Sequence, residues 1–201
     1  MPRAAKYDRK TALDKAVSLF WARGYHGTSL KQLELALDMR PGSLYAAFGS
    51  KQSLFLEALD VYASDLLKQL DEQLQASQSP MNALQAFLRH MVMGDSPASE
   101  PPARACMIVK TLLEVTEEDE PLGSRVNELL ADIEEIFEDL LKRAQREGEL
   151  RADVDCERLA RLIQVQIMGL RTFAQRHVAD QTLEPLLEDV NALLDGYRVR
   201  H

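Results

Sequence analysis

The chain has 201 residues and carries 24 Lys and Arg against 32 Asp and Glu, a net charge of −8. Hydrophobic residues make up 46% and charged residues 28%, the balance of a globular protein large enough to bury a sizeable core. No apolar run approaches the roughly 18 residues of a membrane span, and the basic N-terminus MPRAAKYDRK lacks the apolar stretch of a secretion signal, so no membrane partner and a cytoplasmic location are expected.

Charge is unevenly spread. Residues 1–50 hold eight Lys and Arg against four acids, +4, which leaves −12 for residues 51–201. A basic head on an acidic body suits one end meeting phosphate while the rest is repelled from it. Runs of β-branched residues bounded by turns do not stand out, so the fold class is all-α, with about nine helices. Met1 to Tyr7 reads either as an arm whose Arg3 and Lys6 suit a phosphate or the minor groove, or as an inert tail. The first helix spans about Asp8 to Arg23, with Leu13, Ala16, Val17 and Phe20 inward, and Gly24 ends it.

The stretch TSLKQLELALDMRPGSLYAAFGSK, Thr28 to Lys51, predicts two short helices joined by a tight turn. Thr28 is expected to cap the first, about Ser29 to Leu37, where Leu30, Leu33 and Leu37 share a face. The second starts at Pro41, since proline suits a first helical position, and ends near Phe48. Leu44 and Phe48 point inward together, which leaves Gly42, Ser43, Tyr45 and Ala46 facing out. Small residues plus one tyrosine add little to a core but suit a groove. This is a helix-turn-helix pattern, whose second helix reads the DNA major groove. A DNA-binding domain over 1–50 and a ligand-binding and dimerisation domain over 51–201 follow.

Helix four runs from Lys51 to about Leu74 on Leu54, Ala58, Tyr62 and Leu66, and its N-terminus at Ser50 and Lys51 suits a phosphate. Such a rod entering both domains would be a natural lever. Helix five covers about Pro80 to Met93, with Leu84, Phe87, Leu88 and Met91 inward. A loop from Gly94 to Pro102 leads to helix six, about Pro102 to Val115, and an acidic loop from Thr116 to Glu120 leads to helix seven, about Pro121 to Glu147, closed by Gly148. Helix eight, about Asp155 to His177, reads as apolar nearly all round, and helix nine, about Thr182 to Tyr197, carries a leucine stripe. A second copy of the chain is the expected cover, over Leu162, Leu170, Leu183, Leu186, Leu187, Val190 and Leu194. The alternative is that these faces complete the core of one chain.

Trp21-Ala22-Arg23-Gly24-Tyr25-His26-Gly27-Thr28-Ser29, followed by Gly42-Ser43-Leu44-Tyr45-Ala46-Ala47-Phe48-Gly49-Ser50-Lys51, resembles the N-terminal domain of the TetR family of repressors. The resemblance covers about Asp8 to Tyr62 and joins three motifs at the right spacing. It implies a homodimer joined through its last two helices, a pseudo-palindromic double-stranded operator, and release by a small-molecule effector. Asp38 departs from the glycine that commonly ends the first helix of the pair, and Arg40 from the Ser or Thr that often caps the second.

DNA contact is expected from Thr28, Ser29, Arg40, Gly42, Ser43, Tyr45, Ala46 and Lys51, with Arg40 placed to read guanine or to hold a phosphate. Thr28 has a cap as its alternative role, and Gly42 close packing. An effector pocket is sketched from Phe87, His90, Met91, Cys106 and Val109, with Lys110, Leu113, Phe137, Gln164 and Met168. A Met or Phe stripe at helical spacing is equally a core. Cys106 has two readings. Near a helix start and four residues from Lys110, it could hold a thiolate and sense electrophiles or oxidants, and ACMIVKTLLEV resembles family members with a reactive cysteine in that region. A buried, small apolar residue is the other. Cys156 is expected at an exposed helix start, with a raised thiol pKa and no reactivity. The two cysteines and four histidines offer no disulfide framework and no metal site, no cofactor is expected, and no P-loop, dinucleotide fingerprint or nucleophile elbow suggests an enzyme. A reading from another class is a protein-binding adaptor on the same fold.

Overall fold

The computed structural model describes residues 8–94, 105–176 and 178–200. The N-terminal arm, nearly all of the loop from Gly94 to Pro102, the expected start of helix six and His177 lie outside the described residues. Among the described residues there are nine helices: α1 Arg9–Arg23, α2 Leu30–Leu37, α3 Pro41–Phe48, α4 Lys51–Ala76, α5 Pro80–Met93, α6 Met107–Glu114, α7 Glu120–Arg146, α8 Cys156–Ala174 and α9 Asp180–Asp195. A short 3-10 turn, Glu117–Asp119, precedes α7, and the only extended pairing described is an isolated bridge between Leu150 and Arg198. No described helix is long and apolar enough to cross a membrane.

By contacts the chain falls into two units. One gathers the described residues up to Asp65 with Met107–Asn127, and the other those of Leu66–Cys106 and Glu128–His201. Helix α4 therefore gives its N-terminal part to the first unit and its C-terminal part to the second, and α6 is grouped with α1–α3.

In the first unit, local chemistry fixes each helix end. Asp8 caps α1 by accepting the N–H groups of Lys10 and Thr11, and Gly24, at φ 79°, ends it. The cap of α2 is Ser29, not Thr28. Its hydroxyl accepts the Gln32 N–H while the Gln32 carbonyl oxygen accepts the Ser29 N–H, a reciprocal capping box. Thr28 is fully buried one residue earlier, and its hydroxyl donates to the Gly24 carbonyl at 2.7 Å. Asp38 takes the left-handed conformation at φ 53°, ψ 45°, which aspartate tolerates better than most side chains, so α2 stops without a glycine. Met39 is buried beneath that turn. Arg40 stands at the cap position of α3 with no side-chain cap bond, and Pro41 opens the helix. Edge-on rings bind the module together: Phe20 with Phe55 at 4.7 Å, Tyr25 with Phe55 at 5.0 Å, and Trp21 with Tyr62 at 5.2 Å.

The second unit has one core. Leu84, Phe87 and Leu88 of α5 pack with Phe137 and Leu141 of α7, Leu159 and Ile163 of α8, and Leu183 and Leu187 of α9. Ser79 caps α5, and Glu149, beyond the α7 end at Gly148, accepts from the Ser79 hydroxyl at 2.7 Å and the Met81 N–H at 3.1 Å.

Leu183, Leu187 and Leu194 lie inside the protomer, and Leu170 and Val190 are buried in the same core, as the alternative reading of these faces has it. A leucine stripe reports that a helix face is covered, not by what. Only Leu162 and Leu186 of the expected set are half-buried. Nor is α8 apolar all round: Arg158, Arg161 and Thr172 lie on its outer side, where Val165 is 60% exposed, and on α9 Leu193 is 41% exposed. Cys156 is likewise buried rather than exposed, and that burial is the main cause of its raised thiol pKa.

Candidate nucleic-acid interface

Helix α3 is two-faced, as its sequence demands. Leu44 and Phe48 are buried, while Gly42, Ser43, Tyr45 and Ala46 are exposed together with Arg40 just before the helix. Apart from the Pro41 ring at its start, the exposed part of the helix carries no aliphatic side chain longer than a methyl. Tyr45 is 47% exposed, and a Cβ on Gly42 would meet nothing within 4 Å. Open space there removes the packing role proposed for Gly42. Arg9 steadies the back of the helix: its guanidinium lies 4.9 Å from the Phe48 ring centroid and pairs with Glu57 at 2.7 Å.

Of the eight residues expected at DNA, the six on or beside the exposed surface are Ser29, Arg40, Gly42, Ser43, Tyr45 and Ala46. Thr28 is the exception, because its hydroxyl is already spent inside the corner between α1 and α2. Lys51 is half-buried, with its ammonium 4.3 Å from the Tyr25 ring centroid, and burial lowers its pKa. Ser50 serves as the α4 cap, accepting the Ser53 N–H at 3.0 Å.

Sequence reasoning missed the polar groups beneath this surface. Glu114, at the end of α6, accepts the Tyr25 N–H at 2.9 Å and the His26 N–H at 2.5 Å. Lys110 donates to the Trp21 carbonyl at 2.5 Å and the Ala22 carbonyl at 3.1 Å, and burial lowers its pKa. Asp119 Oδ2 lies 2.9 Å from His26 Nε2 and 3.1 Å from the Thr116 N–H, and these contacts hold its carboxyl below the usual value. Such pairings span about ninety residues and leave no local pattern.

The ten residues sketched as a pocket are divided between the two units. Phe87 and Phe137 meet edge to face at 6.2 Å in the second core, with Met91 packed against it. Gln164 donates to the Leu130 carbonyl at 2.7 Å, and His90 and Met168 are half-buried. Arg171, unremarked in the sequence, is buried with Nη1 3.9 Å from Met91 Sδ. Val109, Lys110 and Leu113 belong to the other unit, where Lys110 is committed to α1 and Leu113 is 77% exposed. Cys106 is a free, buried thiol directly preceding α6.

Two family models match the chain: "Bacterial regulatory proteins, tetR family" over residues 12–58, and "Tetracyclin repressor-like, C-terminal domain" over residues 80–188. The uncharacterized HTH-type transcriptional regulator YezE of Bacillus subtilis is 31% identical over 182 residues, 90% of this chain and 92% of that protein. The HTH-type transcriptional repressor ComR of Escherichia coli is 26% identical over 186 residues, 92% of this chain and 87% of that one. Among solved structures, a cysteine mutant of the TetR-family regulator CifR in complex with 26bp operator DNA is 33% identical with a TM-score of 0.86, over 94% of this chain and 98% of that one. These relatives are transcriptional regulators rather than enzymes, and the chain belongs to the TetR family of helix-turn-helix transcriptional repressors.

Proposed function

We propose that this repressor binds a pseudo-palindromic operator as a homodimer and leaves it when a small-molecule effector binds the second unit. The observation that carries the DNA reading is the division of α3, with Leu44 and Phe48 turned in and Gly42, Ser43, Tyr45 and Ala46 turned out. Ser29, Arg40 and Lys51 flank that face and supply hydroxyl and cationic groups for phosphates and base edges. The homologous regulator CifR with operator DNA bound supports the same reading. The excess of positive charge in residues 1–50 favours it over a protein-binding adaptor.

Release follows from linkage. An effector shifts the operator equilibrium only by its differential affinity for the DNA-ready and DNA-incompetent states. Half-buried Met91, packed against the core that holds Phe87 and Phe137, suits an apolar ligand in the second unit. Selection of bound fragments from the organism's genome tests the DNA reading. A short inverted repeat should be recovered, and its binding should weaken steeply with salt as counterions are released. Recovery of no preferred fragment at low salt would overturn it.

A further inference from the structure

We propose that Glu114 and Lys110 of α6, with Asp119 just beyond it, are positioning residues for DNA reading: they clamp the corner between α1 and α2 and so hold α3 in its reading pose. This rests on the operator-binding function proposed above. The corner runs from Gly24 to Thr28, and within it the Tyr25 and His26 N–H groups lie outside both helices, beyond the last α1 bond from the Gly24 N–H to the Phe20 carbonyl. Glu114 takes the Tyr25 N–H on one carboxylate oxygen and the His26 N–H on the other, at 2.9 and 2.5 Å. Lys110 places its ammonium on the Trp21 and Ala22 carbonyls, in the last turn of α1, where unsatisfied carbonyls and the helix dipole attract a cation. Asp119 holds the His26 ring at 2.9 Å and its own turn through Thr116. Three side chains from one short segment thus converge on four residues of a distant stretch of chain, Trp21, Ala22, Tyr25 and His26.

Two further facts tie the clamp to reading. Gly24, at φ 79°, leaves room for the carboxylate, since a Cβ there would collide with Glu114 Oε2. Thr28 then bonds the Gly24 carbonyl and Ser29 opens α2, so the clamped corner sets where α2 and its partner α3 begin. Tyr25, whose N–H is held, also carries the Lys51 ammonium on its ring. Loosening the corner would disturb base-edge geometry at α3 and phosphate geometry at Lys51 together.

Electrostatics alone makes the opposite prediction for Glu114, which gives the test its power. Removing a carboxylate from a DNA-binding unit should tighten binding to any duplex. The clamp requires that Glu114→Ala bind the operator fragment recovered from the genome about tenfold or more weakly, the size of losing bonds to a charged group, while its affinity for a random duplex of equal length is unchanged or higher. Glu114→Ala and Lys110→Ala combined should cost no more than the larger single effect plus a small remainder, since both hold one corner. Glu118→Gln, an exposed neighbour with the same charge change, should bind both duplexes as wild type does or slightly more tightly, and never more weakly. Hydrogen exchange at the Tyr25 and His26 amides should accelerate in Glu114→Ala with the rest of the chain still protected. If Glu114→Ala does not fold, Glu114→Gln, which keeps the size and one acceptor oxygen, carries the same comparison. Operator binding by the folded variant equal to or tighter than wild type overturns the clamp, as does unchanged exchange at the two amides. Failure of the wild type to select any duplex overturns the operator reading instead, and the two failures are read from different arms.

Discussion

Tyr45 and Arg40 are the large polar side chains exposed on and just before α3. The Tyr45 ring stands 47% exposed beside glycine, serine and alanine, so its hydroxyl is the one long polar group on that side of the helix. Tyr45→Phe keeps the ring and deletes the hydroxyl. It should weaken binding to all duplexes alike, by about 1 kcal/mol for one neutral hydrogen bond, measured by titration at fixed salt. Arg40→Ala should weaken binding too, and if the guanidinium reads guanine it should also relax preference at one operator position by about 1–3 kcal/mol. The cysteines give a second check at this scale. Both thiols are buried, Lys110 is engaged with α1 carbonyls, and burial raises the Cys156 pKa. Native protein at neutral pH should therefore react slowly with a thiol reagent at both positions, and denatured protein fast. Rapid native labelling of Cys106, with DNA release absent in Cys106→Ser, would revive a thiol switch.

Elements bounded by side-chain chemistry were legible from the sequence, and those held by distant groups were not. α3 and α5 run from Pro41 to Phe48 and from Pro80 to Met93, as their proline starts and glycine ends predict. The α2 start slipped by one residue because Thr28 and Ser29 are both good caps and only the corner decides which is buried. The capping box makes this testable: Ser29→Ala should cost about 1 kcal/mol of stability, whereas Thr28→Ala removes a fully buried donor and should not restore a cap. The clamp at the corner was invisible because Glu114 and Asp119 read as wet-face acids in a local window. Its pH dependence follows from the depressed Asp119 carboxyl. A carboxyl lowered on folding stabilises the native state above its ordinary pKa of 3.8, and that contribution is lost as the pH falls through the lower folded value. The Tm gap between wild type and Asp119→Asn should therefore be full at neutral pH and close as the pH drops below 3.8. A gap that persists in acid would mean that the carboxylate's charge is not what Asp119 contributes.

For the whole molecule, what matters is which apolar residues one chain leaves uncovered. Sequence periodicity assigned the α9 leucines to a dimer face, yet Leu183, Leu187 and Leu194 lie in the protomer core. Among the described apolar side chains of α8 and α9, Val165 and Leu193 are exposed and Leu162 and Leu186 are half-buried, and the proposed homodimer would use these. Their spacings of three within α8 and seven within α9 keep each helix's pair on one face. A two-fold interface uses the same patch twice, so one charge introduced there is desolvated in both copies at once. Val165→Asp and Leu193→Asp should accordingly leave a folded helical chain that sediments as a monomer at micromolar concentration. Operator affinity should then fall by about a hundredfold or more, because two half-sites joined on one scaffold gain that factor over a single head. Leu187→Asp makes the contrasting case. It buries a carboxylate in the core and should lose the fold itself, with a large fall in Tm whatever the protein concentration. If both exposed-site variants remain dimeric and bind the operator as wild type, the α8–α9 face is not where two copies meet.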